Sequence, residues 1–486
     1  MSEWVSEGIP CFGVVGRINT GKSAVLATLL EVDDDRVIRV SPTPGETTRC
    51  QALPVEFDGR ELVRFIDTPG FSRPVEAMRA IQKLHGEGTP DLAAIRRFVE
   101  SQEADGAGEF EDEIRLLQPI LEGAGILYVI DPSRPLRDAF VAEMEILRWT
   151  GRPRMALLNE KVDSSEHLTA WKNRLGSYFN LVRTFNAHHA RFEERKHLMR
   201  SLLDIDEGNR GILEEAISLI EAEWEIRREE AADTILEMLR DCLTLRVEGK
   251  LEDAERRSKR KKEKKVRELS TKYLEKVRHL ERKACQRLLG IYRHHLVEVE
   301  AGREAYEGID LAAEETWRKW GLSRGQLTVA GALAGAAGGA LVDVSTGGLT
   351  HGVGTAVGTV GGFLTAFFKG ADFPELGVGG KGGLTIKSGS GRALVVGPPR
   401  NENFPWILLD SALHHYEVIS ERAHGRREKG VLPAPSEESL VRRWESKRRG
   451  RFAKWIASCA KGSPDRGLEA EVFDHLLNAL EELEAD

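Results

Sequence analysis

Cysteine is scarce and scattered in this chain: Cys11, Cys50, Cys242, Cys285 and Cys459 show neither the paired spacing of a zinc site nor the density of a disulfide framework. A secreted, disulfide-held scaffold is excluded, and the cytoplasm is the expected compartment. The opening Met1-Ser2-Glu3-Trp4 lacks the basic-then-apolar order of a secretory signal. Positive charge is not in excess either. A net charge of -8 argues against a chain that binds nucleic acid along its whole length, although the signs are unevenly distributed. The adjacent histidine pairs (His188/His189, His294/His295, His414/His415) cannot share a helix face, which disfavours metal ligation by either pair member with its neighbour.

What is present is length and a motif. With 486 residues the chain exceeds one ordinary domain, and two or three units are expected. Near the start, Gly16-Arg17-Ile18-Asn19-Thr20-Gly21-Lys22-Ser23 follows a short apolar strand (residues 11–15) and precedes an apolar-periodic helix (residues 24–30). Strand, glycine-rich loop and helix in that order make a P-loop. Its backbone N–H groups can wrap phosphates at the helix N-terminus, Lys22 adds a cation near the β- and γ-phosphates, and the Ser23 hydroxyl suits Mg²⁺.

Residues 41–49 are too rich in proline, glycine and threonine for helix or central strand, and read as a loop. Two strand-like runs (53–57 and 62–66) flank Asp58-Gly59, a hairpin signal. The second run ends in Asp67-Thr68-Pro69-Gly70. An aspartate at the C-terminal end of a strand beside a P-loop can hold Mg²⁺ through water, and the Gly70 N–H can meet a γ-phosphate. Residues 73–123 then read as a long charged helical insertion without assigned chemistry. Further strands are expected at 126–130, 155–158 and 181–185.

These motifs resemble the Era-like and MnmE-like branch of translation-factor-related GTPases. Gly16, Asn19, Gly21, Lys22 and Ser23 match its P-loop, Thr48-Arg49 matches its switch I threonine and arginine, and Asp67 to Gly70 completes its third motif. The resemblance implies GTP and GDP as ligands, with Gly16, Asn19, Thr20, Gly21, Lys22 and Ser23 around the phosphates. It implies Mg²⁺ held by Ser23, Thr48 and Asp67, with Thr47 the second choice to Thr48, and Lys22, Thr48 and Gly70 as the hydrolytic set. Phe71 stands where many such enzymes carry a water-positioning glutamine, so slow intrinsic turnover is expected. For the base, Asn159 matches the usual Asn-Lys-x-Asp, while Asp163 is reached one residue late. Ala187 is the single match to the Ser-Ala-Lys loop. Asn19 can also help to bind K⁺ between phosphates, as in the resembling branch, or simply stabilise the loop.

Downstream the texture changes. The order of the whole chain, with Gly397-Pro398-Pro399-Arg400-Asn401-Glu402-Asn403-Phe404-Pro405-Trp406 in its last third, resembles a bacterial family in which an Era-like GTPase domain is fused to an uncharacterised glycine-rich C-terminal domain. The expected fold is an α/β P-loop GTPase domain (1–205), a long charged helical arm (206–325), a glycine-rich apolar helical hairpin (326–370), and a small β-hairpin with C-terminal helices (371–486). In the arm, Val266, Leu269, Tyr273, Val277, Leu280, Ala284 and Leu288 recur at steps of three and four on one helix face, preceded by a basic run from Arg256 to Lys265. That run is either a solvated face or a patch for RNA or an anionic membrane. No aromatic interleaves it, which disfavours a stacking platform for single-stranded RNA. In the hairpin, Gly331, Gly335 and Gly339, then Gly354, Gly358 and Gly362, recur every four residues and allow close helix approach. The two apolar halves, residues 327–342 and 352–368, each span about 24 Å as helix, short of a hydrocarbon core of about 30 Å. Buried protein core and paired insertion at the inner membrane are both open.

Three functions follow: a GTP-hydrolysing switch coupled to a membrane or a membrane-bound partner, an RNA- or ribosome-associated GTPase, and a nucleotide-binding scaffold with negligible hydrolysis. A homo-oligomer is compatible with each.

Overall fold

The computed structural model describes residues 4–32, 49–104, 108–160, 167–250, 252, 258–295, 297, 384–389, 393–399, 404–426 and 439–485. These fall into two compact units, one drawn from residues 1–226, 293–296 and 421–429 and the other from 227–292, 297–420 and 430–486.

The first unit is built on a six-stranded sheet. Its strands are β1 (Cys11–Val15), β2 (Gln51–Phe57), β3 (Arg60–Asp67), β4 (Gly125–Ile130), β5 (Arg154–Asn159) and β6 (Leu181–Phe185), in the order β2-β3-β1-β4-β5-β6. Only β2 runs antiparallel, joined to β3 through Asp58 and Gly59, both at positive φ (49° and 75°) as a two-residue hairpin turn requires. Every residue of β1 and β4 is buried, as expected of parallel strands covered on both faces. The period of two then sorts side chains between two cores. Phe12, Val14, Leu127, Val129, Met155 and Leu157 face α1 (Lys22–Leu29) and α7 (Phe192–Leu203). Val15, Ile126, Tyr128, Ile130, Ala156 and Leu158 belong to the opposite core.

That opposite core takes up the charged segment after Gly70. It folds as α2 (Pro74–His85), α3 (Leu92–Ala104) and α4 (Glu111–Glu122), whose Ala77, Ile81, Ile95, Phe98, Ile114 and Leu117 are buried in it. Proline at the start of α2, three acidic residues in the first turn of α4 and Gly123 (φ 132°) at its end set the boundaries. The helices α5 (Asp138–Trp149) and α6 (Leu168–Leu175) complete this layer.

The helix α8 (Arg210–Thr244) is 35 residues long. The second unit takes its C-terminal part and continues with β7 (Val247–Lys250), α9 (Lys259–Ile291), β8 (Leu384–Gly389), β9 (Ala393–Pro399), α10 (Phe404–Ser420), α11 (Ser446–Ala460) and α12 (Arg466–Ala485). On α9, Leu269, Tyr273, Val277, Ala284 and Leu288 are buried, as their spacing requires. The β8–β9 hairpin is present, and within the stretch expected as a helical arm Val247–Lys250 pairs antiparallel with β9 to make a three-stranded sheet, β7-β9-β8. Val-Glu-Gly-Lys carries no strand pattern of its own, and the ladder to β9 is what holds it extended.

The glycine-striped stretch 326–370 lies outside the described residues, as do Arg256 and Arg257. Among the described residues, no helix is long and apolar enough to cross a membrane.

Candidate functional site: a phosphate loop at the end of the central strand

Strand β1 stops at Val15 and the chain turns through Gly16, at φ 146°. A Cβ there would lie 2.3 Å from the Val129 carbonyl oxygen, so only glycine passes beneath the end of β4. Asn19 (φ 66°) and Gly21 (φ 94°) supply the left-handed turns that close the loop, and Val25 N–H donates to the Gly21 carbonyl (2.9 Å) as α1 begins. Asparagine tolerates that conformation through its short polar side chain, which accounts for Asn19 as a loop residue.

Lys22 is buried under this loop. Its Nζ donates to the carbonyls of Gly16 (3.3 Å) and Arg17 (3.4 Å). Burial pushes its pKa down, and the carboxylates of Asp67 and Glu143 pull it back up. One residue on, Ser23 Oγ donates to Asp67 Oδ2 at 3.1 Å. A hydroxyl and a carboxylate side by side at a helix N-terminus are hard oxygen donors of the type that suits Mg²⁺ in a phosphate site. Asp67 is brought there by the parallel register of β3 with β1, which sets it beside Val14. Thr68 Oγ1 locks the following turn by donating to the Val14 carbonyl (2.8 Å).

Gly70 lies hard against the loop, since a Cβ on it would sit 2.8 Å from the Ile18 nitrogen. Phe71 turns away into the core, 1% exposed, and bridges in parallel fashion to Arg17. It cannot orient a water molecule. Both N–H groups that follow, of Ser72 and Arg73, donate to one oxygen of the buried Glu113 (2.8 and 2.5 Å), so α4 holds the start of the segment after Gly70 in place.

On the far side, Asn159 ends β5 fully buried and joins two loops. Its Nδ2 donates to the Thr20 carbonyl (3.0 Å), and its Oδ1 accepts from the Ala187 N–H (3.1 Å). The Ala187 carbonyl accepts from Thr28 Oγ1 of α1 (2.7 Å). The structure thus gathers Gly16, Asn19, Thr20, Gly21, Lys22, Ser23, Asp67, Gly70, Asn159 and Ala187 around the C-terminal ends of the parallel strands, where open α/β sheets bind ligands. Thr47, Thr48 and Asp163 lie outside the described residues.

Sequence reading missed the carboxyl beneath the loop. Glu143 of α5 is completely buried, and its Oε2 accepts from the Tyr128 hydroxyl of β4 (2.7 Å). Burial raises its pKa to about 8, against the lowering pull of the Tyr128 bond, Arg17 and Lys22. The available signal was a glutamate three residues after Phe140 and four before Leu147, on the apolar stripe of α5. Elsewhere, Cys285 Sγ and His415 Nδ1 stand 3.3 Å apart. Burial holds that thiol up at about 12 and that imidazole down at about 4, so both stay neutral and make no nucleophile.

A P-loop on the central strand, a Ser–Asp pair at its mouth and an Asn bridge to the last strand define a P-loop GTPase domain. Residues 11–160 match the family model described as "50S ribosome-binding GTPase". Residues 172–474 match a second model, "Domain of unknown function (DUF3482)", and over this larger part of its length the chain belongs to that family. The pairing of a GTPase domain with an uncharacterised C-terminal domain is as the motifs implied.

Among solved structures, the chain is similar to Era in complex with MgGDPNP and nucleotides of 16S ribosomal RNA (16% identity, covering 51% of this chain and 74% of that one, TM-score 0.27). It is similar to a bacterial selenocysteine-specific elongation factor, EF-Sec (16%, 41% and 29%, TM-score 0.25). A third likeness is to LeoA, a bacterial dynamin GTPase from ETEC (11%, 98% and 91%, TM-score 0.22). With TM-scores this low, fold and family rest on the sheet topology and the two family models.

Proposed function

We propose that the chain is a Mg²⁺-dependent GTP switch in which Ser23, Asp67 and Thr48 hold the metal, Lys22 and the loop backbone hold the β- and γ-phosphates, and Gly70 meets the γ-phosphate. The observation that carries this reading is the 3.1 Å Ser23–Asp67 bond beside the buried Lys22 ammonium. Asn159, Ala187 and the displaced Asp163 would read guanine. Turnover would be slow without a partner, because Phe71 is committed to the core and no glutamine follows Gly70. GTP binding measured by calorimetry should weaken roughly thirty- to 150-fold in Lys22→Ala, the loss of one charge-assisted contact of about 2–3 kcal/mol. Unchanged affinity would remove Lys22 from this role.

The partner we favour is an anionic membrane or a membrane-bound protein. Arg260, Lys261 and Lys264 are exposed in the first two turns of α9, the end at which a helix dipole disfavours cations. An anionic surface would relieve that cost, at about 1 kcal/mol per basic residue near the headgroups. The apolar stretch 326–370 would then insert or dock. A ribosomal partner is the second reading, favoured by the match of residues 11–160 to the family model described as a 50S ribosome-binding GTPase. Sedimentation of the full chain with anionic liposomes or with ribosomes, in GTP and in GDP, separates the two. Deleting residues 327–368 should abolish liposome binding and leave GTP binding intact; a full chain that ignores liposomes in both nucleotide states would end the membrane reading.

A further inference from the structure

The segment following α10 returns to the GTPase sheet. Glu421 to Arg426, Arg293, His294 and the whole six-stranded sheet lie in the same compact unit. Gly425 is buried, and its N–H donates to Thr28 Oγ1 (2.9 Å), 397 residues away in sequence. The same hydroxyl donates to the Ala187 carbonyl (2.7 Å). From there the bonds continue through the Ala187 N–H to Asn159 and from Asn159 to the Thr20 carbonyl inside the phosphate loop. Thr28, Ala187 and Asn159 are each fully buried, so no water substitutes for these bonds.

Glycine is required at the contact. A Cβ on residue 425 would stand 2.6 Å from the Ala187 carbonyl oxygen, 2.7 Å from Thr28 Oγ1 and 2.9 Å from the Ala24 carbonyl oxygen. Two of the three are backbone atoms, one in α1 directly after Ser23 and the other in the loop that Asn159 grips. Neither can yield without moving the nucleotide site. Two flanking contacts seat the segment: Glu421 pairs with Arg191 (3.0 Å), at the start of α7, and the buried His424 ring stacks on His294 with centroids 4.3 Å apart.

We infer that Glu421 to Arg426 is a built-in positioning strap for the base-reading loop, with Gly425 and Thr28 as the positioning residues that set the preference for guanine. This rests on reading the Ala187 loop as the base contact. The strap acts through Ala187, which it holds against α1 at a fixed height relative to Asn159 and the phosphate loop. A displaced Ala187 would hold any base less closely, with guanine losing most.

The test uses the full-length protein and fluorescent N-methylanthraniloyl GDP and ADP. In Gly425→Ala and in Thr28→Val, the GDP-to-ADP affinity ratio should fall about tenfold, and GDP should dissociate correspondingly faster, the scale of one lost buried hydrogen bond. Thr28→Ser keeps the hydroxyl and should restore the wild-type ratio. If Gly425→Ala does not fold, the Thr28 pair still decides the matter. A ratio unchanged in the variants, with only the melting temperature lowered, would make the contact merely structural and overturn the proposal. Wild-type protein with no preference for guanine would instead overturn the base-loop reading on which the proposal stands.

Discussion

Beneath the phosphate loop, the full burial of Glu143 has a consequence for stability against pH. Its carboxyl faces Tyr128, Arg17, Lys22 and Glu113, and its pKa in the fold is about 8 against an ordinary value of 4.5. Below pH 4.5 the group is protonated in folded and unfolded chains alike and favours neither. As pH rises toward 8 the unfolded chain gives up the proton while the folded one retains it, so stability drains away across that window, by roughly 3–5 kcal/mol in all. Glu143→Gln keeps an acceptor for the Tyr128 hydroxyl and cannot ionise. Denaturant unfolding from pH 5 to pH 8 should therefore show a flatter profile in the variant; parallel profiles would mean that Glu143 does not bind the proton. Such a residue is hard to read in a sequence, because a glutamate among apolar positions looks like any helix surface residue until its neighbours are known. Lys22 and Ser23 were legible because a short, constrained loop ties them to the end of β1, and Asp67 because it closes β3 itself, whereas Gly425 carries no local signal.

At the scale of elements, Asp410 of α10 shows how the second unit holds its irregular segments. One buried carboxylate oxygen accepts from Ser439 Oγ (2.9 Å) and from the Val441 N–H (3.0 Å), fixing the approach to α11. Asp410→Ala would leave both donors buried without an acceptor, and should cost about 2–4 kcal/mol. Chemical denaturation would show this as a lower midpoint; a midpoint within error of wild type would show that the segment re-forms its bonds elsewhere. Legibility differs by element for a physical reason. The parallel strands β1, β4 and β5 are near-continuous apolar runs because both faces are buried, and the sequence displays them directly. Strand β7 has one buried residue in four and a glycine, and its extended form comes from β9 alone. The helices of 73–123 were legible as helices but not as core, since only the fold shows that their apolar stripes face the sheet.

For the whole molecule, the place where the second family stretch starts matters. It opens at residue 172, ahead of β6, so the last strand of the GTPase sheet and Ala187 belong to it rather than to the stretch matched by the GTPase model. A fragment ending at residue 171 would leave β5, paired with β6 from Met155 to Asn159 in the intact chain, with an open edge between two apolar faces. Light scattering behind a sizing column should find that fragment self-associated; a well-behaved monomer would show that β5 can close its own edge. The join between the two parts is therefore no seam. A recombination event that swapped everything after residue 171 would hand the upstream half a foreign last strand, so descent should keep both halves together or lose them together.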